Sequence, residues 1–319
     1  METYRIFLTG ITGFIGNRLA EQLIKDGHEV HAIIRYRAAE DYLTKPHRIE
    51  GVKYYTCNLN DHINLRTIIQ KVEPEIITHL AAISPVRLSF IHPLEFQQTN
   101  YLSTIELVHM SLELKSFTKF IFASTMETYG WQEQRIPFTE ELPLNPASPY
   151  AVSKAAAEKY IQMAGKAYTL PYLIAKPCNT FGRMRSVRFI TEYLITSMLK
   201  GEIPQIGSPN AVRDMMYVTD HINAYISAIS SSVRSGVFNF GNGSTYTMLE
   251  LAEIIRGKIG YKGEIKTGFP SNYPDRPVVD PYLSLNSEKA KKYLNWKPKV
   301  SIEDGLDLSI QYWKKNIHN

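Results

Sequence analysis

Tyr4-Arg5-Ile6-Phe7-Leu8-Thr9-Gly10-Ile11-Thr12-Gly13-Phe14-Ile15-Gly16 is the stretch on which the reading of this chain turns. Tyr4 to Leu8 reads as a short buried strand. Leu19, Leu23 and Ile24 follow at helical spacing, so Gly10, Gly13 and Gly16 stand between a strand and an amphipathic helix. A glycine-rich turn in that place lets backbone N–H groups approach a diphosphate. A bare glycine repeat would suit any tight turn. The strand before it and the helix after it favour a dinucleotide, with Thr12, Phe14 and Ile15 beside the same ligand.

The strand-then-helix pattern repeats outward from this turn. Strands are expected at 29–34, 52–56, 76–79, 119–123 and 172–176, with a long helix at 96–114 containing Asn100. The expected fold is α/β, a Rossmann-type doubly wound parallel sheet. Residues 1–176 would form the dinucleotide-binding domain and 177–319 a smaller C-terminal substrate-binding region, partly interleaved with the sheet. Ligands in such sheets bind at the carboxyl ends of the strands. Gly10 to Gly16, Leu80-Ala81-Ala82 and Ser124-Thr125 all fall there, and the small residues let a cofactor lie against backbone. His79 reads as a packing or hydrogen-bonding histidine, since nothing nearby supplies metal ligands, and no metal is expected. The second strand ends in Arg35-Tyr36-Arg37. An acid there would take the ribose hydroxyls of NAD, whereas arginine suits a 2′-phosphate. NADP(H) is therefore favoured over NAD(H), a solvated basic loop being the plain alternative.

In Ser148-Pro149-Tyr150-Ala151-Val152-Ser153-Lys154, Pro149 can open a helix that Ala155, Ala156 and Ala157 continue. Tyr150 and Lys154 then share one face, a turn apart. A free phenol titrates near ~10. A neighbouring ammonium, a cationic nicotinamide and a hydrogen-bonding hydroxyl would all favour its anion. Lowering its pKa by about three units takes roughly 4 kcal/mol and would give a base for a sugar hydroxyl near neutral pH. The plain alternative is a buried tyrosine beside a solvated lysine.

The chain has 319 residues, 44% of them hydrophobic and 21% charged, ordinary for a globular protein of one large or two closely packed domains. No apolar run approaches the ~18 residues of a membrane span. A strand is expected from the outset, with no signal peptide before it. Two cysteines, Cys57 and Cys178, imply no disulfide framework, and a cytoplasmic setting is expected. A net charge of +5, spread along the chain, suits a small polyanion without demanding nucleic acid. An RNA-binding protein would want a basic stripe with stacking aromatics, and the 20 tyrosines are scattered.

These motifs together resemble the extended short-chain dehydrogenase/reductases that modify nucleotide sugars, over nearly the whole chain. The glycine motif falls at Gly10, Gly13 and Gly16, and the small-residue motif at His79-Leu80-Ala81-Ala82. The supporting asparagine falls at Asn100, the hydroxyl residue at Thr125, and the catalytic pair at Tyr150 and Lys154. The resemblance implies that Tyr150 takes a proton from a sugar hydroxyl, on C4, while hydride passes from that carbon to the nicotinamide. Thr125 would bond the reacting oxygen, and Lys154 would bind the nicotinamide ribose. Asn58, beside Leu59, stands where an aspartate often contacts adenine; its carbonyl can still accept that bond. A dinucleotide-sensing protein without turnover is the alternative of another class, but it would have no reason to keep these residues together.

In relatives that remove water across C5 and C6, the threonine is followed by an acid or hydroxyl residue and then glutamate. Here Glu127 matches, but Met126 cannot donate a proton. Oxidation or reduction at C4 without dehydration is therefore favoured, as a 4-dehydrogenase or 4-keto reductase, with epimerase or 4,6-dehydratase as alternatives. Glu127 otherwise only orders the site. The resemblance also puts Asn179, Arg213 and Arg276 on the sugar diphosphate, Asp280 near the nucleotide ribose, and Asp220 more simply at a helix cap. A Phe-Val-Thr triplet like Phe189-Ile190-Thr191 occurs in relatives that bind GDP-sugars, which favours GDP. A homodimer through the helices carrying Asn100 and Tyr150 is implied in the same way.

Overall fold

The computed structural model describes residues 2–35, 48–184, 186–187, 189–269 and 282–317. Among these, seven parallel strands form the main sheet: β1 (Arg5–Thr9), β2 (Glu29–Ile34), β3 (Lys53–Thr56), β4 (Ile76–His79), β5 (Lys119–Ala123), β6 (Tyr172–Pro177) and, from the second half, a strand at Ser235–Phe240. Between β6 and that strand come β7 (Asn179–Phe181), β8 (Gln205–Ile206) and β9 (Val212–Tyr217), so the late strand is β10. The order is β10-β6-β5-β4-β1-β2-β3. It reverses direction between β1 and β4, and a crevice opens there at the carboxyl ends.

Both faces of the central strands β1, β2, β4, β5 and β6 are buried, which is why these strands are largely apolar, while the edge strand β3 is half exposed. Along β1, Ile6 and Leu8 face one core and Phe7 the other. The helices are α1 (Phe14–Lys25), α2 (His62–Val72), α3 (Val86–Ile91), α4 (Pro93–Gln97), α5 (Ser103–Leu112) and α6 (Pro149–Ala167). Leu19 and Leu23 of α1 cover the first face, and Leu65, Leu107 and Ile161 of α2, α5 and α6 cover the second. The helix expected at 96–114 is not continuous: a π-helical turn at Gln98–Leu102 separates α4 from α5. The extra residue in that turn changes the direction of Asn100, and such bulges accompany functional sites.

The rest of the chain packs against the first half. Its elements are α7 (Ile190–Leu199), α8 (Val218–Ser230), α9 (Met248–Ile259), α10 (Glu288–Leu294) and α11 (Ile302–Asn316), with β11 (Thr245–Thr247), β12 (Lys266–Thr267) and β13 (Tyr282–Leu283). β11, β9, β13 and β7 make a second, small sheet, while β10 returns to the main one. Asp220 does not cap the helix it precedes in sequence. α8 already begins at Val218, and the Asp220 carboxylate accepts the Lys299 and Val300 N–H groups at 2.9 Å each. It thereby fastens the approach to α11. Among the described residues, no helix is long and apolar enough to cross a membrane.

Candidate active site

Gly10 has φ +82, and a Cβ there would lie 2.7 Å from the Ala81 nitrogen. A Cβ on Gly16 would lie 2.2 Å from the Gly10 oxygen. Only glycine lets the turn pack backbone against backbone on the end of β4. Gly13 donates its N–H to the Gly10 carbonyl at 2.9 Å and stands at the N-cap of α1 without a capping side chain. No acid lies in the first turn of α1. Thr12 and Gly13 are exposed at the tip, with Phe14 and Ile15 half-buried beside them. The cradle fits a dinucleotide diphosphate, which takes backbone N–H groups and the positive end of the helix dipole.

The end of β4 is held by a chain of hydrogen bonds. Thr104 donates its hydroxyl to the Asn100 carbonyl at 2.7 Å. His79 Nε2 must therefore carry the proton it gives Thr104 at 3.1 Å, and Nδ1 accepts from Thr9 at 2.7 Å. Thr9 in turn accepts the Ala81 N–H at 3.1 Å. Burial and the Lys154 charge hold His79 down at about 3, so it is neutral and structural. Asn100 accepts the Ile83 N–H at 2.8 Å and donates to the Ile83 carbonyl at 3.0 Å and to Ser153 at 3.1 Å. Its amide thus braces the segment after Leu80, Ala81 and Ala82 against α6.

Ser148 caps α6 by accepting the Ala151 N–H, and Pro149 occupies its first turn. Tyr150 and Lys154 therefore project one turn apart, both buried. Thr125 stands two residues past the end of β5, as the N-cap of the 3₁₀ turn Met126–Thr128, and its hydroxyl favours the Tyr150 anion. The Lys154 ammonium lies 4.4 Å from the centre of the Phe122 ring. The expected trio of Thr125, Tyr150 and Lys154 is assembled, but its electrostatics are corrected. Burial pushes the Tyr150 phenol up, the Glu127 carboxylate pushes it further, and the Thr125 bond offsets only part of this. Burial also pulls Lys154 down to about 7, against the opposing pull of Glu158. Desolvation of both charged forms is the largest effect at each group. The residues of the chain alone hold Tyr150 as a phenol; an oxidised nicotinamide, when bound, supplies the positive charge and accepts the hydride.

Glu127 is half-buried in a 3₁₀ turn, its N–H bonded to Thr125 at 3.3 Å. Met126 is 1% exposed and belongs to the core. On the small sheet Asn179 pairs with Met215, two residues from Arg213, which donates to the Val212 carbonyl at 3.0 Å. Thr191 is buried, and its hydroxyl has no hydrogen-bond partner among the described residues. Asn58 is exposed and its carbonyl accepts the Asn60 N–H at 3.1 Å; Leu59 is buried in the core. Arg35 is exposed at the end of β2. Arg37, Arg276 and Asp280 lie outside the described residues.

Three further groups lie beside the site that sequence patterns did not single out. The Arg183 guanidinium lies 4.6 Å from the centre of the Phe14 ring and 3.5 Å from that of Phe189, joining the glycine turn to the second half. Glu192 accepts the N–H groups of Gly182 and Arg183 at 2.8 Å each. His221 stacks on Tyr225 and bonds Thr180 at 2.8 Å. Burial and the Arg183 charge hold it down at about 3. The only sequence signal was the position of Arg183, right after Asn179-Thr180-Phe181-Gly182.

A parallel sheet in the order 3-2-1-4-5-6, a glycine cradle and a Thr-Tyr-Lys trio at its carboxyl edge define a nicotinamide-dependent oxidoreductase of the Rossmann type. The family model for GDP-mannose 4,6 dehydratase matches residues 7–308. The chain belongs to that family, among the extended short-chain dehydrogenase/reductases that act on nucleotide sugars, and is an enzyme. A mouse dTDP-D-glucose 4,6-dehydratase is 28% identical over 99% of this chain and 90% of its own length. The crystal structure of UDP-glucose 4-epimerase from Thermotoga maritima with UDP-glucose superposes with a TM-score of 0.87 at 29% identity, covering 98% of this chain and 99% of that one. A Thermus thermophilus UDP-glucose 4-epimerase in complex with NAD gives 0.84 at 25%, covering 98% and 99%. The preference for NADP expected from Arg35 finds no support, since this neighbour carries NAD.

Proposed function

We propose that this enzyme transfers hydride at C4 of a nucleoside-diphosphate sugar to and from NAD without loss of water, and that the net outcome is inversion at C4. The observation that carries the reading is Tyr150 and Lys154 one turn apart on α6, with Thr125 just past the end of β5, combined with Met126 buried in the core. Tyr150 exchanges the proton of the sugar hydroxyl, Thr125 holds the reacting oxygen, and Lys154 supplies the positive charge beside both. Nothing at 126 can protonate a leaving hydroxyl on C6. Asn179 and Arg213 would hold the diphosphate, the guanidinium because it can pair with two oxygens. NAD is the cofactor of this reading, in keeping with the neighbour's complex. Uridine or thymidine is the nucleoside, in keeping with the relatives' names, in place of the guanosine that Phe189-Ile190-Thr191 had suggested. A 4,6-dehydratase is the second reading, favoured by one observation, the Glu127 carboxylate beside Tyr150.

The test is incubation of the purified protein with NAD and UDP-, dTDP-, GDP- or CDP-glucose, followed by mass spectrometry and sugar analysis. A product of unchanged mass with galactose configuration supports the proposal. A product lighter by one water moves the enzyme to the dehydratases.

We also propose a homodimer. Leu88, Ile91, Leu94, Leu102, Val152 and Met163 lie between 38% and 81% exposed along α3, α4, the π turn and α6. These helices pack side by side, and an apolar face of that extent fits a second copy of the chain.

A further inference from the structure

Behind the catalytic residues lies a pair of opposite charges that the reaction as described does not use. Glu158 is on α6, one turn beyond Lys154, and is 1% exposed. Lys176 is in β6 and equally buried, its ammonium 2.9 Å from the Glu158 carboxylate. The other carboxylate oxygen accepts the hydroxyl of Ser124, the residue before Thr125. The Lys176 ammonium also lies 3.9 Å from the centre of the Tyr129 ring, whose hydroxyl donates to Asn239 at 2.8 Å. A buried ion pair is costly to assemble and commonly adds little stability. Its place, rather than its strength, asks for a function.

We infer that Glu158, held by Lys176, is a positioning residue for the redox step: it fixes the strand end bearing Thr125 through Ser124, and it presents a negative charge to Lys154 from the next helical turn. This rests on the reading of Thr125, Tyr150 and Lys154 as the catalytic trio. Residues four apart on a helix face each other about 6 Å between Cβ atoms, close enough for the charge to be felt in a dry interior. The groups around Lys154 bear this out. On its own helix stand Tyr150 and Glu158. β4 presents neutral His79, and β5 presents the Phe122 ring. Glu127 faces Tyr150 from the 3₁₀ turn, and Phe96 of α4 meets Tyr150 edge-on. Around Glu158 itself stand Ser124, Lys176 and Tyr129, with Glu140 and Lys159 acting on Lys176. Glu158 is the carboxylate that holds Lys154 up against the burial that pulls it down. Without it, the ammonium that Tyr150 needs would lose its proton at lower pH.

The experiment compares the whole protein with E158Q and with the E158Q/K176M double variant, which removes both charges at similar volume and so keeps the fold testable. Lysine-selective NMR of the 13Cε shift, with K154M to assign the resonance, follows ionisation of Lys154 in the absence of substrate. The titration midpoint is expected to fall by about one pH unit, a tenfold change in the ionisation constant, in both variants. With UDP-glucose as substrate, the alkaline limb of kcat/KM is expected to move down with it, while KM stays within about twofold. An unmoved Lys154 midpoint in either variant overturns the inference, as does a uniform loss of activity at every pH with the limb in place. Absence of turnover with every nucleotide sugar would sink the functional reading instead, and the substrate-free titration would still decide the role of Glu158.

Discussion

Tyr150 shows how far a residue can be read from its neighbours in sequence. Its spacing from Lys154 placed the two together, but the same burial that excludes water from the site raises the phenol and depresses the ammonium. Removing the phenolic oxygen as Tyr150→Phe should lower hydride transfer about 10²- to 10⁴-fold, the usual worth of a positioned acid–base group. NAD affinity by calorimetry should change little. Retention of native turnover would refute the assignment. His79 and His221 make a second case. Both are held at about 3, far below the ordinary histidine value. Their imidazole NMR signals should therefore stay neutral down to pH 5, with the proton of His79 on Nε2. The sign for stability follows. The folded protein keeps both rings neutral while the unfolded chain protonates them below ~6.5, so their contribution is intact above that pH. Each loses ~1.4 kcal/mol per pH unit as pH falls toward 3. Asp214, buried and raised to about 6, acts in the opposite direction between that value and its ordinary one. A signal assigned to His79 or His221 that titrates near 6.5 would contradict this account.

At the scale of elements, the π-helical turn at Gln98–Leu102 is the feature that sequence periodicity did not reveal. Gln98 to Leu112 carries helix-compatible residues throughout, and a single extra residue in one turn leaves no mark on hydrophobic spacing. The turn orients Asn100 toward both Ile83 and Ser153. Asn100→Ala would leave two half-buried Ile83 backbone groups without that partner and take one bond from the Ser153 hydroxyl, which still donates to the Tyr150 carbonyl, at a cost of about 1–3 kcal/mol. Chemical denaturation should show that loss, and hydrogen exchange should show it focused at Ile83. A neutral substitution, with Ile83 as protected as before, would rule out the brace. The glycine turn was legible because its demand is local. Gly10 and Gly16 fill positions where a Cβ would strike backbone, and sequence states where side chains are missing.

For the whole molecule, the first half was legible as a parallel sheet because its central strands are buried on both faces and helices link β1 to β2, β3 to β4, β4 to β5 and β5 to β6. The second half was less so. β10 returns to the main sheet beside β6, and Asp220 reaches across to Lys299 and Val300 in place of capping its own helix. Both are long-range choices with no local signature. The proposed homodimer belongs to this scale. Leu94→Glu, placed at a side chain 81% exposed, should leave the fold intact and shift sedimentation from dimer to monomer. A native protein that sediments as a monomer would dispose of that interface.

The chain order of strands, glycines and the Tyr-Lys spacing by themselves determined the fold class, the glycine cradle and the candidate trio at its edge. These depend on steric limits and helical geometry, which act between near neighbours. Tertiary structure alone decided the charge states: the protonated Tyr150, the depressed Lys154, the neutral His79 and the Glu158–Lys176 pair. Those depend on how much water is taken away and which opposite charge arrives. In a doubly wound sheet both are settled by residues from different strands, brought together only when the layers close.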